Sequence, residues 1–372
     1  MSYINELIEN ECIKEGNFKL KNGQISKYYF DMKRLISYPK LLSKIGDAIY
    51  ELIDKKNCDL LCGVPIGGIP ICSYISTKYN IPMIIVRDEV KSYGSCKQIE
   101  GNYSKNSKCV IIEDVITTGS SVENTINILK EHVNVTNVLV IIDRQQNFNC
   151  SVPVKSLITK TDIVRERLLT IMKEKDSQLC FSADVEDKKK LFDILDNIGD
   201  TIVICKIHYD IYNDIDSSFK EKLIEYSIKY KFLIMEDRKF IDISYISHKQ
   251  NKIYENWVDM VTIMAFVTDD VIRCMSGVLI VANMSNNNWD MTKEAIALSR
   301  NNSKNVLGFI TQKRIIEDNK LSFTPGVNIS KSKISDQNYR NTSEIDTDII
   351  IVGRGIYNSD NYKEAVKLYK KI

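Results

Sequence analysis

The apolar run Phe232-Leu233-Ile234-Met235 leads into Asp237-Arg238-Lys239-Phe240-Ile241-Asp242, so a strand ends in alternating acid, base and acid. Successive side chains on a strand face opposite ways, which puts Asp237 and Lys239 on one face and leaves Asp242 a few residues into the following loop. A second lysine, Lys206, follows the similar run Thr201-Ile202-Val203-Ile204 one strand-helix unit earlier. Packing alone does not end strands in two lysines and two aspartates, and carboxylates so placed would keep a lysine cationic for chemistry. A second constellation lies upstream. There Val110-Ile111-Ile112 is followed by the carboxylates Glu113 and Asp114 and then by the turn Thr117-Thr118-Gly119-Ser120, which opens a helix. Free N–H groups, hydroxyls and a helix dipole at such a turn suit a phosphate. Glu113 and Asp114 suit sugar hydroxyls or a metal ion beside it.

Both constellations need strands to carry them. Leu60 to Val64, Met83 to Val86, Val110 to Ile112 and Val138 to Ile142 read as short buried strands of an open, parallel α/β sheet, with helices at about 39–54 and 121–131. A charge-rich helix around Asp162 to Leu169 marks a change of pattern, and the expected domains are 1–160 and 161–372. Beyond it lie eight apolar strand candidates, beginning near 179, 202, 232, 260, 278, 306, 322 and 349, with helical stretches between or after them. Eight is the number a TIM (β/α)8 barrel requires.

Composition sets the class. A chain of 372 residues favours two domains at roughly 100–200 residues each. A net charge of +2 carries no polyelectrolyte signal, so nucleic acid is not an expected partner. Ten scattered cysteines without a CxxC pair, and three histidines, argue against a zinc site or a disulfide framework. No apolar run approaches a membrane span, and acidic residues stand where a signal peptide would be basic. The expectation is a cytoplasmic protein without membrane partners.

The 109–121 string resembles the phosphoribosyl-pyrophosphate (PRPP) signature of type I phosphoribosyltransferases, and its surroundings resemble orotate phosphoribosyltransferase. Phe18 to Ser26 with Tyr28-Tyr29-Phe30 is similar to that family's orotate segment. The resemblance implies that Lys21 is a substrate lysine, that Tyr29 and Phe30 flank the base, and that Arg144 contacts orotate. Arg87 to Gly94 resembles the loop that closes over PRPP from the partner subunit, with Lys91 as the catalytic lysine beside Arg87 and Tyr93. PRPP would arrive as its Mg²⁺ complex and be held by Glu113, Asp114, Thr117, Thr118, Gly119 and Ser120. Asp88 replaces a basic residue usual in the family, and Ile66-Gly67-Gly68 replaces a turn that usually starts with an aromatic residue; both bear on PRPP affinity.

The second half resembles orotidine 5′-monophosphate (OMP) decarboxylase. The resemblance implies that Lys239, Asp237, Asp242 and Lys206 are catalytic, with Asp242 crossing to the other subunit of a homodimer. It further implies that Ser182, Asp184 and Ser285 contact pyrimidine and ribose, and that Pro325, Gln337, Tyr339, Gly353 and Arg354 grip the phosphate, with no cofactor for decarboxylation. His208 reads as a packed or capping histidine. Ile246 replaces a threonine of the family pattern. In this order the two halves resemble the UMP synthase family, which makes OMP from orotate and PRPP and decarboxylates it to UMP. The alternative is an OMP decarboxylase whose N-terminal module is inactive or only binds PRPP or a nucleotide for regulation.

Overall fold

The structure is a computed structural model that describes residues 3–20, 23–87, 97–146, 148–213, 215–216, 218–286, 289–329, 333–334 and 337–369. The chain divides into two compact units, one of residues 1–14 and 30–160 and the other of residues 15–29 and 161–372. The segment 15–29, expected with the first domain, therefore packs with the second unit.

The first unit starts with α1 (Tyr3–Glu9). Strands β1 (Ile13–Lys19) and β2 (Ile25–Phe30) form a two-stranded sheet that carries most of 15–29. Helix α2 (Pro39–Glu51) begins at Pro39, whose ring presets a helical φ, and buries Leu41, Ile45 and Ile49 along one stripe. Then follow β3 (Leu60–Gly63), α3 (Gly68–Tyr79), β4 (Met83–Val86), β5 (Ile99–Glu100), β6 (Lys108–Ile116), α4 (Ser120–Leu129), β7 (Asn134–Asp143) and β8 (Val154–Thr159). The sheet order is β5-β4-β3-β6-β7-β8, parallel except for the β4–β5 pair. Leu60, Leu61, Val110, Ile111, Ile112 and Val138 through Ile142 are fully buried, as parallel strands covered on both faces must be. From β3 the chain steps to β4 on one side, while β6 lies on the other. That reversal of strand order opens a crevice at the carboxyl ends of β3 and β6.

The second unit opens with α5 (Lys160–Lys175), of which only Lys160 counts with the first. It continues with β9 (Leu179–Ser182), α6 (Lys188–Ile198), β10 (Ile204–Ile207), α7 (Phe219–Lys229), β11 (Leu233–Phe240), α8 (Ser244–Asn251), β12 (Met260–Met264), α9 (Asp269–Ile272), β13 (Val278–Val281), α10 (Thr292–Asn301), β14 (Val306–Ile310) and β15 (Leu321–Thr324). Four two-residue strands, β16 (Val327–Asn328), β17 (Lys333–Ile334), β18 (Gln337–Asn338) and β19 (Arg340–Asn341), decorate the connection to β20 (Ile349–Val352). Two short helices close the unit, α11 (Arg354–Tyr357) and α12 (Tyr362–Lys367). Strands β9 to β15 and β20 close a parallel barrel. Its apolar strand residues fall into an outer cluster under the helices and an inner one containing Cys180, Ile204, Leu233, Met235, Leu279 and Phe323.

Candidate functional site

In the barrel the expected residues meet at the carboxyl ends of the strands, where barrels carry their chemistry. One cavity is lined by Ser182, Asp184, Lys206, His208, Asp237, Lys239, Ser285, Pro325, Tyr339, Gly353 and Arg354, with Val281, Ile310 and Ile351 as apolar walls. Lys206 is in register with Ser182 on β9, so neighbouring strands deliver both to one level. Asp237 sits between the two lysines. Its Oδ2 is 2.8 Å from Lys206 Nζ and 2.9 Å from Lys239 Nζ. Lys206 Nζ also lies 3.4 Å from Asp184 Oδ1, and Ser182 Oγ donates to Asp184 at 2.9 Å.

Lys239 does not reach Asp237 by simple alternation. Between Glu236 and Phe240 strand β11 advances four residues while β12 advances only two, from Val261 to Ile263. Such a bulge re-aims side chains. Within it Lys239 adopts φ +51°, a left-handed conformation costly for a residue with a Cβ. Buried Thr262 stabilises the bulge: its hydroxyl accepts the Lys239 amide at 2.9 Å and donates to Asp237 Oδ1 at 2.8 Å.

Charge in this cluster is fixed by the partners. Burial alone would push the Asp237 carboxyl up, but Lys206 and then Lys239 hold it well below the usual carboxylate range. Burial likewise opposes the charge on Lys206, and Asp237 and Asp184 outweigh it, so its ammonium is held more tightly than usual. His208, expected to be a packed histidine, lines the cavity with Nε2 3.1 Å from Lys206 Nζ and 3.4 Å from Asp237 Oδ2. Burial and then Lys206 lower its pKa, favouring the neutral ring. Glu236, facing away from the cavity, is fully buried and accepts the Tyr209 amide at 3.0 Å through Oε2, while Oε1 has no hydrogen-bond partner among the described residues. Burial pushes it up to about 8.

Asp242 does not join this cluster. The chain leaves the rim after Phe240, and Asp242 is exposed, its Oδ1 accepting the Ile243 amide at 2.7 Å. Gly326, at φ +73°, lets the loop after β15 press on Ser285, where a Cβ would come within 2.7 Å of the serine Cβ. Gln337 is placed in β18, and its side chain lies outside the described residues.

In the first unit Glu113 and Asp114 lie near the end of β6, and the 117–120 turn leads into α4 through Gly119 at φ +74°. Thr118 Oγ1 and Ser120 Oγ share a hydrogen bond of 2.9 Å. The 64–68 turn after β3 presses on the same place: a Cβ on Gly67 would lie 2.0 Å from Asp114 Oδ2. Burial and then neighbouring Asp114 push the Glu113 carboxyl well above the usual carboxylate range, and its Oε1 accepts the Asp114 amide at 2.9 Å. The Arg144 guanidinium lies 5.5 Å from the centre of the Phe30 ring. Arg87 pairs with Glu100 at 2.9 Å, Ile66 is exposed, and Tyr29, half exposed, packs on Phe18 within the second unit. Lys21, Asp88, Lys91 and Tyr93 lie outside the described residues.

Two family models match the chain: the orotidine 5′-phosphate decarboxylase / HUMPS family over 177–369 and the phosphoribosyl transferase domain over 32–146. The chain is 30% identical to uridine 5′-monophosphate synthase of Bos taurus over an alignment of 462 residues, covering 100% of this chain and 96% of that protein. With the Caenorhabditis elegans protein of the same name it shares 28% identity, over 99% and 94% of the two chains. With orotate phosphoribosyltransferase of Pyrococcus horikoshii it shares 41% over 146 residues, 38% of this chain and 78% of that one.

Proposed function

The chain belongs to the uridine 5′-monophosphate synthase family, and from that membership we propose how its residues divide the work of the two reactions. It is a bifunctional enzyme of pyrimidine synthesis, an orotate phosphoribosyltransferase and an OMP decarboxylase. The observation carrying the assignment of roles is Asp237 Oδ2 within 2.9 Å of both Lys206 Nζ and Lys239 Nζ, in a cavity that also holds Ser285, Tyr339 and Arg354.

Breaking the bond between C6 of OMP and its carboxyl carbon leaves an electron pair at C6 that the ring cannot delocalise. Preorganised charge must stabilise it. Lys239, ion-paired with Asp237 at 2.9 Å, sits beside C6 and gives it a proton as CO2 departs, and solvent restores that proton afterwards. Asp237 places negative charge near the departing carboxylate. Lys206 ties Asp237 and Asp184 to the ribose, while Arg354, Tyr339 and Gln337 hold the phosphate, whose binding energy is expressed at the transition state. Asp242 completes this site from a second copy of the chain; its exposure, flanked by exposed Ile241, Ile243 and Tyr245, favours a homodimer.

In the transferase unit orotate N1 attacks C1′ of PRPP and pyrophosphate leaves. The 117–120 turn and the amino end of α4 hold the phosphate, Asp114 takes ribose hydroxyls, and Phe30 and Arg144 flank orotate. Lys21 and Tyr29 belong to the same orotate set, and Lys91, Arg87 and Tyr93 to the loop that covers pyrophosphate. Mg²⁺ carried on PRPP would neutralise charge on the leaving group. Glu113 and Asp114, near the end of β6 beside the 117–120 turn, would offer carboxylate oxygens to such an ion or to the ribose hydroxyls. Among the described residues no helix is long and apolar enough to cross a membrane.

The test incubates the protein with orotate, PRPP and Mg²⁺, follows OMP and UMP separately, and repeats the assay from OMP. UMP from both starting points is expected. Failure to make UMP from OMP would sink the roles given to the barrel residues.

A further inference from the structure

Residues 15–29 are held to the barrel by a polar lock that the decarboxylation chemistry leaves unused. Lys27 Nζ donates to Asp259 Oδ2 at 2.6 Å and to Ser227 Oγ at 2.8 Å, and the Tyr28 hydroxyl donates to Asp259 Oδ1 at 2.6 Å. Lys27, Tyr28 and Asp259 are 1%, 3% and 1% exposed. Asp259 also accepts the Ile234 amide at 2.6 Å, so its carboxylate ties the hairpin to the first residues of β11 and β12. The Lys27 amide donates to Asn256 O at 2.9 Å, and Glu15 pairs with Arg167 at 2.6 Å. All this lies at the amino ends of the strands, away from the cavity at their carboxyl ends.

Burying a lysine completely is costly unless every donor is matched, and a buried pair of this kind is better suited to fixing one geometry than to adding stability. The geometry fixed here is that of β2. Two residues past Tyr28 on the same strand comes Phe30, whose ring faces the Arg144 guanidinium. We infer that Asp259 of the barrel, acting through Lys27 and Tyr28, is a positioning residue for the orotate-binding end of β2, so that orotate binding in the transferase step depends on a side chain of the decarboxylase barrel. This rests on the assignment of Phe30 and Arg144 to orotate.

The test uses the full chain with Lys27→Met, with the milder Tyr28→Phe, which removes one hydroxyl, and with Phe30→Ala as reference. The KM for orotate should rise at least tenfold in Lys27→Met and severalfold in Tyr28→Phe, while the KM for PRPP and decarboxylation of added OMP stay within twofold of the parent. Decarboxylation thus serves as an internal measure of barrel folding. An unchanged orotate KM in both lock variants, with a raised one in Phe30→Ala, overturns the inference and leaves the orotate assignment standing. An orotate KM unmoved by Phe30→Ala as well overturns both. Parallel loss of the two activities in Tyr28→Phe would show the lock to be merely structural, and the inference falls.

Discussion

Thr262 Oγ1 donates to Asp237 Oδ1 at 2.8 Å and accepts the amide of Lys239 at 2.9 Å, so one hydroxyl on β12 holds both ends of the acid-base pair on β11. Thr262→Val keeps the shape but leaves the Lys239 amide and one Asp237 oxygen without this partner. A hydrogen bond to a charged group contributes about 1.5–3 kcal/mol. If that is lost mainly at the transition state, kcat for decarboxylation falls roughly 10- to 100-fold. Thr262→Ser should retain most activity. Steady-state kinetics on OMP decides it: a valine variant within threefold of the parent would remove Thr262 from the machinery.

At the transferase site the close approach of Gly67 to Asp114 carries its own prediction. A Cβ at 2.0 Å from the carboxylate forces the 64–68 turn or Asp114 to move. Gly67→Ala should cut OMP formation from orotate and PRPP at least tenfold, a displacement of about 1 Å being enough for larger losses. Decarboxylation of supplied OMP should be unaffected. OMP and UMP measured by chromatography separate the two, and a fully active alanine variant would show that this contact is not functional.

How much of this was legible before the fold was known depends on whether each feature is local. The eight barrel strands were, because each is a short apolar run buried on both faces, and so was Asp237-x-Lys239, a compact motif on one strand. The bulge was not. Alternation expects the two side chains on one face of a regular strand, yet their contact depends on β11 outrunning β12 by two residues, a property of their pairing. Thr262 reads in isolation as a stray polar residue within Met260-Val261-Thr262-Ile263-Met264. Lys27 reads as a surface lysine because its partner, Asp259, is 232 residues away. His208 reads as a packing residue because a lone histidine at a strand end has no motif around it, although alternation already puts it on the face of Lys206 two residues earlier. Asp242 was the opposite case, legible as a motif residue yet not gathered into the cavity of a single chain.

Glu236 gives the barrel a pH signature. Burial raises it to about 8 in the fold, against about 4.5 ordinarily, so between these values the folded chain keeps a proton that the unfolded chain releases. The number of bound protons is then larger in the folded state, and stability falls as pH rises through this window, by at most about 1.4 kcal/mol per pH unit. Its contribution is full below about 4.5 and gone above about 8. Glu236→Gln cannot titrate and should flatten the decline. Urea denaturation at pH 5.5, 6.5 and 7.5, comparing the barrel transition in parent and variant, tests this. Parallel profiles would mean that the carboxyl is ionised in the fold.

The exposed position of Asp242 leads to a sharper test of assembly. If a second copy completes the cavity, Lys239→Ala and Asp242→Asn each disable a different half of the same composite site. Either variant alone should lose decarboxylation nearly completely while still converting orotate and PRPP to OMP, which would accumulate. Unfolding and refolding the two together lets subunits pair at random. Roughly half the dimers are then mixed, and each mixed dimer carries one site with an intact Lys239 and an intact Asp242 and one site with neither. About a quarter of parent decarboxylase activity should return, against near zero for either variant refolded alone. No recovery in dimers shown to be mixed would mean that Asp242 acts within its own chain, through a movement of the segment between Phe240 and Ile243, or has no part in the reaction.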